Sequence, residues 1–343
     1  GDLPIAERYR RAEAILPFSY AGSMGQVQYF AGHPLFHALG ASQLDRTICV
    51  ATAYAGWRAT AGAVTGNDSE QMVGADLVVL WGINAAYATI TVGMLVKQAR
   101  ARGARVVVVD PYRAPTAETA DEHLMVRPGA DGALALALGH VLIRKNLTNR
   151  PFIDEWCVGF DEYAAYVADK TPEWGEKVTS VPAAAIERIA TEIGETARAG
   201  KPVCVDVWSG PGHHTNATLG GYAIAVLPAL LGMVDKPGTM MEPNRSGSKG
   251  HGLDVDLPSL KKPRVDGTGK KYILGHGSGV YVETRDVVLA GKESIPGSGV
   301  PKAGVFVFQN FVMSVPNQQK NIDFMKKLEY VVVNDTHMSE TAE

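Results

Sequence analysis

Short apolar runs alternate along the chain with stretches of helical period. Residues 75–82 (ADLVVLWG) and the run from Arg105 to Asp110 (RVVVVD) lack polar alternation. Runs of this kind suit strands buried on both faces of a parallel sheet. Between them, residues 90–102 set Val92, Met94, Leu95, Val96 and Ala99 among basic positions. That spacing predicts a crossover helix, with Gly103 as its left-handed cap. A right-handed crossover then places the two strands in one sheet.

The alternation continues with a short strand at 124–127 and a helix near 131–145. Residues 151–200 read as helical, with Pro151 and Pro172 in first turns. A strand at 203–208 and a helix at about 218–233 follow. Residues 236–300 are rich in Gly, Pro, Ser, Asp and Lys and predict a long irregular excursion. Strand, helix and strand resume at 305–308, 318–327 and 329–334. The fold class is α/β, with two Rossmann-like parallel-sheet units, one inserted in the other. The expected division gives residues 40–197 to the inserted unit, which carries Cys49. Residues 1–39 with 198–343 form the discontinuous one.

Composition narrows the function classes. With 33 Lys+Arg against 36 Asp+Glu, the net charge of −3 argues against a nucleic-acid or anionic-lipid surface. No run approaches the roughly 18–20 apolar residues of a membrane span. Three cysteines, Cys49, Cys157 and Cys204, stand far apart without a CxxC spacing. They exclude a four-cysteine zinc or iron–sulfur site within this chain.

Ligands of open parallel sheets bind beyond the carboxyl ends of the strands. Trp81-Gly82-Ile83-Asn84 follows the first strand. Its glycine admits a close approach and Asn84 offers both donor and acceptor, while Trp81 also suits a core position. Asp110-Pro111-Tyr112-Arg113 follows the next strand. Asp110 suits a ribose hydroxyl pair or a guanine edge, or a turn before Pro111. Arg127-Pro128-Gly129-Ala130-Asp131-Gly132 opens a helix that Asp131 would cap, or whose amides would meet an anion. Gly210-Pro211-Gly212 lacks a third glycine, which argues against a standard nicotinamide site. His213-His214-Thr215 suits metal, phosphate or a solvated loop. His33 and His37 share a helical face without a nearby third ligand. Cys49 lies beside small residues and reads as nucleophile, metal ligand or buried structural thiol.

Taken together, these motifs resemble the dimethyl sulfoxide reductase family of molybdenum or tungsten bis-pterin oxidoreductases. The resemblance covers about residues 15–343. Trp81-Gly82-Ile83-Asn84 is similar to its WGxN, and Gly103 to Pro111 to its strand ending in Asp-Pro. Arg127 to Leu134 is similar to its RPGtDgAL, and Asn334-Asp335 with Glu340-Thr341-Ala342 to its D…ETA. The implied cofactor is molybdenum, or tungsten, held by two molybdopterin guanine dinucleotides. Trp81, Gly82 and Asn84 would line one dinucleotide, Asp110, Pro111 and Arg113 would face its guanosine, and Gly129 and Asp131 its tail. Ser209, His213 and Thr215 match a loop beside a pterin. Asn310 matches a polar residue after the next strand, and Asn334 and Asp335 would reach the other guanine. Gln26 matches a position near the metal. Cys49 matches the metal ligand, with Asp45 just upstream.

The resemblance implies two-electron oxygen-atom or hydride-equivalent transfer on a small-molecule substrate. The alternatives are a metal-free electron-transfer scaffold of the same fold and a non-redox tungsten hydratase. The chain is expected to be a piece of a longer polypeptide. The 4Fe–4S segment would precede it, a barrel would follow, and an iron–sulfur electron-transfer subunit would be a partner. Val50 stands where formate dehydrogenases place histidine, so the expected branch is that of thiosulfate, polysulfide and sulfoxide reductases. The sequence assigns no compartment.

Overall fold

The computed structural model describes residues 3–4, 7, 11–19, 32–42, 50–64, 66–239, 263–271 and 281–343. In chain order come β1 (Ile15–Ser19), α1 (His33–Leu39), α2 (Ala51–Ala61), β2 (Leu77–Trp81), α3 (Ile90–Ala101) and β3 (Arg105–Val109). The single turn α4 (Pro115–Glu118) and β4 (Glu122–Leu124) follow. A run of helices comes next: α5 (Asp131–Arg144), α6 (Arg150–Trp156), α7 (Phe160–Val167), α8 (Pro172–Thr179) and α9 (Ala183–Arg198). After β5 (Val203–Val207) and α10 (Ala217–Leu231) come α11 (Tyr281–Ala290), β6 (Ala303–Val307), α12 (Phe311–Ser314), α13 (Gln318–Lys327) and β7 (Tyr330–Asn334).

The chain divides into two units, Cys49–Ser248 and Gly1–Ile48 with Lys249–Glu343. In the first, four parallel strands take the order β4-β3-β2-β5, with Val79 level with Val107 and Val205. Side-chain alternation sends Leu77, Val79, Trp81, Val107, Val203 and Val205 into one core with α5, α9 and α10. The intervening Val78, Leu80, Val106, Val108 and Cys204 enter a second core with α3. Covering on both faces is why these strands carry continuous apolar runs. Helices α2 and α10 meet backbone to backbone. A Cβ on Gly56 would come 2.0 Å from the Thr218 carbonyl oxygen, and one on Gly221 2.4 Å from that of Ala53.

The other unit has a parallel sheet ordered β1-β6-β7. Its core is aromatic: Phe18 stacks on Phe306 with ring centroids 4.6 Å apart, and Phe311 and Phe324 close around them. Offset and tilted ring pairs of this kind add to the area they bury.

Three sequence expectations are corrected here. Strand β5 pairs with β2, and α10 packs on α2 and α5, so residues 198–239 lie with the inserted unit, which takes the bounds Cys49–Ser248 in place of 40–197. The excursion at 236–300 contains the ten-residue helix α11. The short strand falls at Glu122–Leu124, two residues early, because Val107 to Val109 fix its register. Strand β1, which the sequence did not predict, pairs along its whole length with β6.

Candidate functional site

In the larger unit, the ends of β2, β3 and β5 and the start of α5 gather most of the expected residues. Trp81 is 1% exposed, and its indole N–H donates to Asp131 Oδ1 at 2.8 Å. Asp131 does not cap α5, whose cap position is Ala130. It is instead the buried acceptor for Trp81. Burial raises its pKa, against the Trp81 hydrogen bond and the nearby His214, which lower it.

Gly82 has φ +63°, and a Cβ there would meet Pro211 Cδ at 2.4 Å. Only glycine admits this approach of the two strand-end loops. The Trp208 amide donates to the Trp81 carbonyl at 3.1 Å, and the Gly210 amide to the Gly82 carbonyl at 3.4 Å. Asn84 Oδ1 accepts from Thr116 Oγ1 at 2.8 Å, and the same hydroxyl accepts the Ala86 amide at 2.9 Å. The loop after β2 is thereby fixed from α4.

The turn before α5 is held from the other side. Gly129 has φ +80°, and the His214 ring lies 3.3 Å from where its Cβ would stand. Asn216 Nδ2 donates to the Gly129 carbonyl at 2.9 Å. Thr52 Oγ1 donates to the Gly212 carbonyl at 2.6 Å, which ties the first turn of α2 to the same loop. Ser209 is half-buried, whereas His213 and Thr215 are exposed.

After β3, Asp110 Oδ1 accepts the Tyr112 amide at 2.8 Å, a local turn that leaves Pro111, Tyr112 and Arg113 exposed. The His123 ring bonds the Asp110 carbonyl at 2.8 Å.

In the smaller unit, Asn310 follows β6 and donates to Glu340 Oε2 at 2.6 Å. Its Oδ1 accepts from Thr341 Oγ1 at 2.8 Å, and that hydroxyl accepts the Val312 amide at 2.9 Å. The Glu340-Thr341-Ala342 motif thus folds back onto the end of β6. Phe308, two residues before Asn310, takes φ +55°, an unusual backbone for an aromatic residue. Asn334 ends β7. Asp335 accepts the Ser339 hydroxyl and the Thr336 amide, each at 2.7 Å, and these bonds lower its pKa.

Gln26, Asp45 and Cys49 lie outside the described residues. His33 and His37 fall in α1. Among the described residues, no group of three or more His, Cys, Asp or Glu could hold a metal ion. Sequence reasoning missed Thr52, Thr116 and Asn216 as parts of these loops, and named His214 without its place against Gly129. Thr116 had a signal, its place in the motif after the second strand. The others act through distant partners, which no local pattern reveals.

Two units built on parallel sheets, with polar residues at their strand ends, define a protein of the α/β class whose ligands meet the carboxyl ends of the strands. A family model described as molybdopterin oxidoreductase matches residues 5–343, and the chain belongs to that family. Membership implies a molybdenum or tungsten molybdopterin cofactor. The chain is 34% identical over 253 residues to the probable oxidoreductase YoaE of Bacillus subtilis (strain 168), covering 74% of this chain and 36% of that protein. It is 29% identical over 321 residues to dimethyl sulfoxide reductase DmsA of Escherichia coli (strain K12), covering 84% of this chain and 37% of the relative. The chain therefore spans little more than a third of these relatives. Acetylene hydratase from Pelobacter acetylenicus superposes with a TM-score of 0.75 over 98% of this chain and 50% of that one. At 22% identity, this likeness establishes the fold. Among the described residues, no helix is long and apolar enough to cross a membrane.

Proposed function

We propose that this chain is part of the catalytic subunit of a molybdenum or tungsten oxidoreductase, and that it holds the guanine dinucleotide form of the cofactor. The observation that carries the reading is the set of polar side chains at the carboxyl ends of parallel strands in both units. Their chemistry fits the group. Carboxylates such as Asp110 and Asp335 accept hydrogen bonds, and the guanine edge offers an N–H and an amino group. The hydrogen bonds to Asp335 hold it in the ionised, acceptor form. Asn84, at the end of β2, is oriented by Thr116. Ser209, His213 and Thr215 supply donors for a pterin or its phosphates. Trp81 and Asp131 lock each other beneath the loops, which keeps this surface in one conformation.

When bound, the cofactor supplies two-electron oxygen-atom or hydride-equivalent transfer. The protein would supply one ligand to the metal and set its access and hydrogen bonding. Cys49 is the proposed thiolate ligand, a soft donor suited to molybdenum or tungsten. The proposed substrate is a small molecule, and a 4Fe–4S cluster outside this chain, with an iron–sulfur partner subunit, would carry the electrons.

Elemental and nucleotide analysis of the intact protein tests this reading. Molybdenum or tungsten should be present, and mild acid should release GMP. Active protein without either metal overturns it. Asp110→Ala should lower the GMP content, and Cys49→Ala should abolish turnover while GMP remains. Unchanged turnover in Cys49→Ala would favour the metal-free scaffold.

A further inference from the structure

Asp206 has no role in the function just described, yet its carboxyl is buried in an apolar core. It lies in β5, level with Leu80, and is 1% exposed. Among the described residues, neither carboxyl oxygen has a hydrogen-bond partner. Its neighbours along the strand, Val205 and Val207, enter the core with α5 and α10, whereas Cys204 enters the core with α3. Alternation puts Asp206 on the Cys204 face, where β2 presents Val78 and Leu80.

The charged groups of the elements covering that face do not reach it. Glu70 of the 3₁₀ turn Ser69–Gly74, and Lys97 and Arg100 of α3, are exposed. On the loop after β5, His213 is exposed and His214 lies against Gly129. Burial alone pushes the Asp206 carboxyl up, to about 7. An ionised carboxylate without donors in such a place is costly, so the proton is retained.

We propose that Asp206 is carried as a neutral carboxylic acid, and that loss of its proton weakens the hold of the adjoining Trp208–Thr215 loop on a polyanionic dinucleotide. This rests on the dinucleotide reading above. At 3.3 Å per residue, Ser209 begins within about 10 Å of Asp206 along the chain. Over such a span in a protein interior, like charges interact. Bound phosphates therefore favour the protonated acid, and by reciprocity the carboxylate disfavours the phosphates. Ionisation releases one proton to solvent and breaks no covalent bond. Strand β5 runs directly into that loop, whose Trp208 and Gly210 amides bond the carbonyls of Trp81 and Gly82, so a charge at Asp206 acts on a loop held in place.

The test uses the purified holoprotein and its Asp206→Asn variant, with Asp206→Leu as a second neutral replacement. An infrared difference spectrum between acidic and alkaline pH should show a protonated carboxyl band in the wild type that both variants lack. GMP retained after gel filtration should fall roughly tenfold more steeply between about pH 6 and about pH 8.5 in the wild type than in either variant. A wild-type spectrum without that band, or parallel retention profiles in all three proteins, overturns the proposal. Holoprotein that yields no GMP on mild-acid hydrolysis overturns the dinucleotide reading and the coupling with it. The infrared band then still reports separately whether Asp206 carries a proton.

Discussion

Strands β3 and β7 are nearly the same in composition and opposite in environment. The first reads RVVVV and buries four of its five residues; the second reads YVVVN and leaves only Val333 even half-buried. Strand β3 lies between β2 and β4, with helices on both faces of its sheet. Among the described residues of its unit, strand β7 pairs with β6 alone, and Tyr330 is 66% exposed. A run of valines therefore specifies an extended backbone without specifying what covers it. The two units also differ in how they hold themselves together. The larger closes on glycines at helix crossings, and the smaller on four phenylalanine rings.

The largest test of that difference is at the glycines. Gly221→Val should cost more than about 4 kcal/mol in chemical denaturation, because backbone atoms of Ala53 block any Cβ. Gly304→Ala in the smaller unit meets first the side chains of Phe306 and Leu328, at 2.6 and 2.9 Å, and should cost about 1–3 kcal/mol. Equal costs would erase the distinction.

Acids come next, because the units carry two of opposite sign. The folded state raises the Asp206 pKa from the ordinary 3.8 to about 7. Its contribution is therefore fully present below the unfolded value and is lost as pH rises through that window, by on the order of 4 kcal/mol. Asp266, paired with Arg264 at 2.6 Å and 1% exposed, is lowered instead. Its contribution is present above the unfolded value and is lost as pH falls. Stability measured against pH should flatten between about 4 and 7 in Asp206→Asn, and on the acid side in Asp266→Asn. The same slope change in both variants would contradict the assignment.

The valines sharpen the comparison further. Val107→Ala, at 0% exposure, should cost about 2 kcal/mol, and Val332→Ala, at 37%, less than about 0.5 kcal/mol. A smaller effect is expected at the indole. Trp81→Phe leaves the buried Asp131 without its 2.8 Å donor and should cost about 1–2 kcal/mol, with loss of GMP content. A variant with full stability and full GMP would remove Trp81 from the site.

Much of this was legible along the chain. The strands at β2, β3, β5, β6 and β7 and the helices α3, α5, α10 and α13 fall where apolar period and caps place them, because local spacing controls whether an apolar stripe or surface forms. The prolines at 151 and 172 do sit in first helical turns. Strand β1 was missed because ILPFS is short and contains a proline, and its pairing with β6 spans nearly three hundred residues. The place of β5 was misjudged for a related reason. A strand's composition does not say which neighbour it will bond.

The sequence by itself determined the α/β class, the order of the strand-end motifs and the residue types available for chemistry, since these depend on side chains a few positions apart. Only the tertiary structure decided that Asp131 accepts from Trp81 rather than capping its helix, that His214 lies against Gly129, and that Asp206 has no hydrogen-bond partner among the described residues. Hydrogen bonding and desolvation depend on groups that the chain brings together from far apart, and sequence distance carries no record of them.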